Sequence, residues 1–331
     1  RSPHFSVRPH LTTTTRTTVV ETAAPLTPAE ARHRSEEARA GALADLERGD
    51  FAAALARYDE ALELARETRD DAFVDWMYVC RAAAAAETAP SDEVLVELKR
   101  ILLRAREPGT AFRAAYTSAR IYELRRDYRR AETYNTRARG YASTLGDAYC
   151  LASCDNQLGN VLVADSRFEE SAAAYRRALE AASRSGAVSE TVQQIWKDNL
   201  GYSLIGFDQV SEGLALVHEA LEFFEKEGAR GYTLYPLSDL CFGYLKLDRY
   251  EEARFFGDAA LERLAEGESP DSSLEKNLLY LLGEACHLSG DAAAARACFG
   301  RLARFYPEFR NLPAYLEVFD FRNVINLRGT R

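Results

Sequence analysis

Apolar residues recur at helical spacing from about residue 27 to about residue 306, and no strand-like alternation appears in the sequence. Pairs such as Gly-Asp, Asp-Ser and Ser-Gly interrupt this pattern and indicate turns between helices. The first helix is predicted to begin at Thr27-Pro28-Ala29-Glu30. There Thr can cap the helix, Pro suits its first turn and Glu can reach back to the cap. The pattern therefore predicts an all-α chain.

Small residues recur at intervals of 37 to 42 residues on the first helix of each predicted helix pair. Other small residues follow most of them at fixed distances, and an aromatic residue follows three of them sixteen positions later. Small side chains let two antiparallel helices approach closely, and aromatic side chains fill the gap to the next pair. The spacing predicts about seven stacked hairpins, centred on Ala42, Ala82, Ala119, Gly159, Gly201, Cys241 and Gly283.

The same set of residues recurs in several of these hairpins. The fourth contains Leu158-Gly159-Asn160, Phe168, Tyr175 and Ala178-Leu179, and the fifth and sixth repeat part of this set. The set resembles the signature of the tetratricopeptide repeat family. The second hairpin departs from the signature and is either a degenerate repeat or a plain helical hairpin. A period near 40 residues resembles the extended-helix subclass of the family. The resemblance implies a right-handed superhelical solenoid over residues 27–306, with the first helix of each pair on the concave face.

The two ends of the sequence differ from the array. Residues 1–26 contain four consecutive Thr and three Pro without a helical period, so we predict a disordered tail. Residues 307–331 break the repeat and are more apolar than a solvated end, with Tyr315, Leu316 and Phe319 among them. Two interpretations of this segment stay open: a cap over the last repeat, or a docking segment for another protein or domain.

Polar and aromatic residues occupy the positions that helical spacing places on the concave face of hairpins three to six. Asn and Gln side chains can pair with the backbone of a bound peptide, while Tyr and Arg can anchor it. The alternative is a groove whose amides only satisfy helix packing. Asp198 shares the spacing. The residues predicted to bind a partner are Arg113, Tyr116, Thr117, Arg120, Asn156, Gln157, Asn160, Asn199, Tyr202, Tyr235 and Asp239.

Charge is distributed unevenly along the chain. The 331 residues carry a net charge of −9, which argues against binding of the whole molecule to nucleic acid or anionic lipid. The stretch from Lys99 to Arg139 nevertheless holds twelve basic residues against four acidic ones. Arg113 and Arg120 are the two that we place on the concave face, where they can bind a carboxylate or phosphate. The stretch indicates a partner with an acidic segment or a solvated basic face, and nucleic acid is the least favoured interpretation.

Sequence motifs for catalysis or metal binding are missing. The five His are isolated, no Gly-rich phosphate loop occurs, and Cys150 and Cys154 have no other Cys or His near them in sequence. We therefore expect no catalytic residue, cofactor or metal. The six Cys are spread widely and no stretch of 18 apolar residues or signal peptide is present, so we expect reduced thiols in a cytoplasmic protein without membrane contact.

The sequence as a whole predicts a protein-interaction scaffold or adaptor that binds a peptide or partner segment in its concave groove, without catalysis. The alternative is the ligand- or peptide-sensing half of a larger bacterial regulator. An accessory subunit of an enzyme is a third possibility that no residue specifically favours. The oligomeric state is left open by the sequence.

Overall fold

Helices make up most of the chain that the computed structural model describes, which is residues 26–48, 50–86, 91–266, 272–306, 312–323 and 325–328. These ranges contain no strand, so the predicted all-α class is confirmed for them. Fourteen of their helices form seven antiparallel hairpins. The first helices of the hairpins are α1 (Pro28–Glu47), α3 (Asp71–Ala86), α5 (Pro108–Leu124), α7 (Ala148–Ala164), α9 (Glu190–Gly206), α11 (Leu234–Lys246) and α13 (Ser272–Leu288). The second helices are α2 (Phe51–Glu67), α4 (Asp92–Arg104), α6 (Tyr128–Leu145), α8 (Phe168–Ser185), α10 (Val210–Lys226), α12 (Tyr250–Ala265) and α14 (Ala292–Leu302).

The first helix begins where the sequence predicts it. The Thr27 hydroxyl accepts a hydrogen bond from the backbone N–H of Glu30 at 3.3 Å. The Glu30 carboxylate accepts one in return from the backbone N–H of Thr27 at 2.8 Å. This reciprocal pair satisfies two backbone donors that the start of a helix leaves without partners. Side chains also cap later helices at Asp50, Ser91, Asp127, Asp147, Ser189 and Asp291.

The first helices of hairpins three to seven end in the same turn. The residue seven positions after the small residue has a left-handed backbone in each of them. Its N–H bonds to the carbonyl three residues back, and the next N–H bonds to the carbonyl five residues back. This Schellman arrangement satisfies carbonyls at the helix end and directs the chain into the second helix. The left-handed residues are Arg126, Ser166, Asp208, Asp248 and Gly290.

Close packing within each hairpin depends on the small residues that define the repeat, and all seven are buried. A Cβ atom built on Gly159 would lie 2.5 Å from a ring carbon of Tyr175, and one built on Gly201 would lie 2.5 Å from a methyl of Val217. In both cases the neighbour follows sixteen residues later on the second helix. The spacing therefore reports a real helix–helix contact.

The second hairpin is packed differently from the others. Helix α4 packs mainly against α5, and α3 packs against α2 and α5, whereas α3 and α4 contact each other only a little. Leu98 and Ile101 of α4 join a core cluster with Val79 and Ala82 of α3 and Ile121 of α5. This shared core explains why the signature is weak there, since the close contact between α3 and α4 that small residues would serve is largely missing.

The chain after α14 returns to the array. A short helix, α15 (Leu312–Leu316), packs on α13, and a 3-10 turn at Phe321–Asn323 contacts α11. Leu312, Leu316 and Leu327 are buried in the core of the last hairpins. The boundary expected at residue 307 and nearly all of the predicted tail, residues 1–25, lie outside the described residues, so the division into domains stays a prediction.

Candidate functional site

A cavity of about 670 Å³ opens on the face formed by the first helices. Ligand pockets commonly have volumes of about 300–1,000 Å³. Consecutive first helices from α5 to α13 touch one another, so they form one continuous face, which we call the groove. Six of the eleven residues predicted to bind a partner line the cavity: Tyr116, Arg120, Gln157, Asn160, Asn199 and Tyr235.

Two of the predicted amides in the cavity wall are engaged in helix packing. The Gln157 amide nitrogen donates to the backbone carbonyl of Tyr116 at 3.1 Å, and its oxygen accepts from Asn135 at 3.0 Å. The oxygen of Asn160 accepts a hydrogen bond from the Tyr175 hydroxyl at 2.6 Å. The packing interpretation therefore accounts for the contacts of these two residues, although both border the cavity.

Five of the predicted residues lie outside the cavity wall: Arg113, Thr117, Asn156, Tyr202 and Asp239. The Arg113 guanidinium stacks 5.3 Å from the centre of the Trp76 ring. Thr117 is buried, and Asn156 is half-buried beside the cavity-lining Gln157. Tyr202 and Asp239 are buried as well, but they contact another part of the chain that enters the groove.

The helical spacing used for the first helices did not predict some of the residues that line the cavity. Tyr232 lies on a 3-10 turn, Arg230–Tyr232, before α11 and stacks on Phe224 with ring centres 5.4 Å apart. Arg126, in the turn after α5, and Tyr128, the first residue of α6, also line the cavity. Arg126 follows Glu123 by three positions and lies just beyond the end of α5. Continuing the spacing past the helix end would have identified it.

The basic stretch from Lys99 to Arg139 is partly paired with acidic residues. The arginines of these pairs are partly exposed, whereas the carboxylates of Asp75 and Asp155 are buried. These contacts fit the solvated-face interpretation, while Arg120 and Arg126 in the cavity wall keep the acidic-partner interpretation open. Examples of these pairs are Arg104–Asp75 at 2.6 Å, Arg120–Glu123 at 2.8 Å, Arg125–Asp92 at 2.5 Å and Arg139–Asp155 at 3.5 Å.

Residues 325–328, which we call the groove segment, cross the groove from α7 to α13. The Asn326 side chain donates to a backbone carbonyl at the end of α7 at 2.6 Å. The backbone N–H of Leu327 donates to the Tyr202 hydroxyl at 3.0 Å, and its carbonyl accepts from Asn277 at 2.8 Å. The Leu327 side chain is buried. The groove thus holds both backbone polar groups and the side chain of this residue, as a peptide site would.

Arg328 ends the groove segment in a pocket of polar and aromatic side chains. Its guanidinium donates to Asn199 at 3.0 Å and to Asp239 at 2.5 Å, and it lies 3.8 Å from Asp198. The guanidinium also stacks 4.5 Å from the centre of the Tyr202 ring. Only 18% of the side chain is exposed. We call the residues around it the arginine subsite: Asp198, Asn199, Tyr202, Tyr235 and Asp239.

Burial and like charge dominate the electrostatics of this subsite. Burial raises the pKa of Asp198 well above its usual value of 3.8, the nearby Asp239 raises it further, and Arg328 opposes both effects. Burial alone would lower the pKa of Arg328, but Asp239 and Asp198 raise it overall, so the guanidinium stays charged. Two carboxyl groups facing one guanidinium make a subsite selective for a cation.

The described residues offer little chemistry beyond binding. They contain no group of three or more His, Cys, Asp or Glu side chains placed to hold a metal ion. Burial raises the pKa of the Cys150 thiol to about 11 and that of Cys154 to about 12, so both thiols stay protonated near neutral pH and are weak nucleophiles. None of the described helices combines the length and the apolar character needed to cross a membrane.

Solved structures of similar fold are known. A protein named BtubC (BKLC) from P. vanneervenii shares 20% identity over 73% of this chain and 93% of its own, with a TM-score of 0.53. NprR in complex with its cognate peptide NprX shares 14% identity over 88% of this chain and 84% of its own, with a TM-score of 0.60.

A STAND protein with a tetratricopeptide repeat sensor, from Pyrococcus horikoshii, shares 16% identity over 88% of this chain, with a TM-score of 0.61. This chain corresponds to 44% of that protein's length. No protein-family model and no curated protein matches the sequence. At these identities the likeness concerns the fold, and the predicted resemblance is confirmed at that level: the chain folds as a solenoid of the tetratricopeptide-repeat type.

Proposed function

We propose that the chain is a non-catalytic receptor or adaptor that binds a peptide, or an extended segment of a partner protein, in its groove. The observation that supports this most is the cavity of about 670 Å³, whose walls combine amides, tyrosines and charged side chains on a continuous face. Such walls can pair with a peptide backbone and anchor its side chains. NprR, which has a similar fold, is recorded in complex with a peptide, and this favours the same class of ligand here.

A matched pair of tyrosine variants tests the proposal. Tyr232 lines the cavity and is 50% exposed, whereas Tyr149 is 47% exposed and lies outside the cavity wall. Peptides would be selected from a random library against the purified chain, and their affinities measured by fluorescence polarisation. We expect Tyr232→Ala to weaken binding about tenfold and Tyr149→Ala to leave it unchanged. Selected peptides that bind both variants as tightly as the parent chain would overturn the proposal.

The charge of the ligand forms a second part of the proposal: an acidic residue of the peptide faces Arg120 and Arg126 in the cavity wall. Arg126→Asn tests this, because Asn tolerates the left-handed backbone of that position, where φ is 58°. Arg129→Asn is the control, since Arg129 belongs to the same basic stretch but not to the wall. Acidic peptides should lose several-fold affinity on Arg126→Asn alone. Equal losses on both variants would contradict this role.

A sensor in a larger regulator is the second candidate. The groove segment favours it, because Asn326 and Arg328 follow the repeat array in sequence but bond to helices of the groove. A ligand that displaces them would therefore change the position of the chain after the array. An adaptor would keep one shape on binding, whereas a sensor would change it. X-ray scattering of the chain, with and without a selected peptide at saturation, distinguishes them through the radius of gyration.

We also place the protein in a reducing compartment such as the cytoplasm. Cys150 and Cys154 support this, because they lie one helical turn apart and both are free thiols. Mass spectrometry of the protein after alkylation under native cellular conditions would show whether all six cysteines are reduced.

A further inference from the structure

The groove segment has the contacts of a bound ligand, although it belongs to the same chain. Asn326, Leu327 and Arg328 each use their side chains in the groove, and Leu327 also uses both backbone polar groups. Their partners come from the first helices of hairpins four to seven, 50 to 163 residues away in sequence. The segment therefore shows which chemistry this part of the groove recognises.

We propose that the arginine subsite is a recognition site for an arginine side chain of a partner peptide, and that the groove segment occupies it as an intramolecular ligand which the partner displaces. This inference rests on the proposed function, because it assumes that the groove binds peptides. It adds the chemical class of the ligand, an extended peptide with an Asn-Leu-Arg-like sequence, and the competitor that controls access.

Arginine fits the subsite better than lysine does. Its planar guanidinium donates to Asn199 and Asp239 in two directions at once while its face stacks on the Tyr202 ring. A lysine ammonium has the charge but neither the fork nor the flat face. The subsite therefore selects for shape as well as for charge.

The position of Arg328 makes it a competitor of any ligand in the cavity. Its side chain fills the subsite and also forms part of the cavity wall, together with Asn199 and Tyr235. A peptide that lies in the cavity and extends toward α11 reaches the place where Arg328 is bound. Because the segment is tethered, its effective concentration at the subsite is high. A free peptide therefore binds the parent chain more weakly than it binds a chain whose subsite is vacant.

A peptide with the chain's own sequence from residue 321 to residue 331, labelled with a fluorophore, is the probe. The full-length chain is compared with full-length Arg328→Gln, which vacates the subsite, and with full-length Arg322→Gln. Arg322 lies in the same terminal region but pairs with Asp320 and Asp248, and none of these three residues lines the cavity or belongs to the arginine subsite. We expect at least tenfold tighter binding to Arg328→Gln than to the parent chain, and no gain for Arg322→Gln.

Changes in the probe test the chemistry of recognition on the Arg328→Gln chain. A probe with Gln in place of its subsite arginine should bind at least tenfold more weakly, and one with Lys should fall between. Free L-arginine should fail to displace the probe at concentrations where unlabelled peptide displaces it, because it lacks the contacts of Asn326 and Leu327. Displacement of the probe by free arginine would mean that the ligand is the amino acid and not a peptide, and it would overturn the proposal.

A measurement on the parent chain avoids any doubt about the folding of the variants. Hydrogen exchange at the Leu327 amide, which donates to the Tyr202 hydroxyl, should become faster when unlabelled peptide is added in excess. If library peptides bind through Tyr232 while the Leu327 amide is unaffected and affinity for Arg328→Gln is unchanged, the groove binds peptides but the segment is no competitor. If the probe binds as expected but Tyr232→Ala leaves the affinity of the library peptides unchanged, the arginine subsite is supported and the cavity proposal is overturned.

Discussion

Gly159 shows how one missing side chain sets the spacing of two helices. A Cβ atom on this residue would lie 2.5 Å from the Tyr175 ring, which is buried and whose hydroxyl bonds to Asn160. Gly159→Ala should therefore lower the free energy of unfolding by about 1–3 kcal/mol through overpacking. Gly140→Ala is the control, because nothing lies within 4 Å of a Cβ there and Ala favours a helix by about 1 kcal/mol. Urea unfolding should move the two midpoints in opposite directions, and a shift in the same direction would contradict the packing argument.

Asp198 provides a pH-dependent prediction at the same scale. Its pKa in the folded chain is raised by burial and by Asp239, so the folded state loses stability as pH rises from the usual carboxyl range through the raised value. Arg328 limits this loss by lowering the pKa. Two buried tyrosines near the guanidinium, Tyr175 and Tyr202, stay protonated because burial raises their pKa.

Arg328→Gln should therefore lose stability relative to the parent chain as pH rises above the usual carboxyl range, by about 1.4 kcal/mol for each unit by which the pKa of Asp198 rises. Urea midpoints measured as a function of pH provide the test. Adding Asp198→Asn to the variant removes the titrating group and should flatten the profile. A steep profile that persists in the double variant would assign the effect to another residue.

At the scale of elements, the turns that end helices carry a repeated strain. Arg69, between α2 and α3, has φ of 57°, in the left-handed region that disfavours residues with a Cβ. It is exposed, so its side chain contributes little packing. Arg69→Gly should raise the unfolding free energy by about 0.5–1 kcal/mol, whereas Arg69→Ala, which keeps the strain, should not. Thermal melting of both variants measures the difference, and equal melting temperatures would show that the turn is not strained.

The helical elements could be predicted from sequence because their signals are local or regularly spaced. The cap at Thr27 and the close contact at Gly159 each follow from residues within sixteen positions of one another. Helical spacing alone predicts Asn199 and Tyr235 on the concave face, and both line the cavity wall. Gln157 has the same spacing but bonds to Asn135 of the preceding hairpin. Sequence alone does not show whether such an amide binds a partner or serves helix packing.

The groove segment could not be predicted, because its contacts span long distances in sequence without a repeated pattern. Asn326 reaches the end of α7, and its neighbour Leu327 bonds to α13, so the register of the segment depends on the finished superhelix. Helical periodicity ends before this region, and its apolar residues fitted a cap as well as a docking segment. The groove that the sequence led us to expect to be open is, in part, filled by the protein itself.

At the scale of the whole molecule, the groove segment connects hairpins whose main contacts in the described part of the chain are with their neighbours. In a solenoid, stability is a sum of unit and nearest-neighbour terms, so a change in one hairpin should affect the next one and fade beyond it. The segment adds a link from α7, through Asn326, to α13, through Leu327. It also joins α9 to α11, through the bonds of Arg328 to Asn199 and Asp239.

The combined variant Asn326→Ala and Arg328→Ala should therefore loosen hairpins four to seven together while leaving hairpins one to three unchanged. Hydrogen exchange followed by mass spectrometry would show this as faster exchange in α7, α9, α11 and α13, with α1 and α3 as internal references. The physical reason is that the two side chains hold helices that are not neighbours in sequence, so their loss removes cooperativity as well as contacts. Faster exchange confined to residues 312–328 would instead mean that the segment rests on the array without stabilising it, and the array would then behave as a simple chain of neighbours.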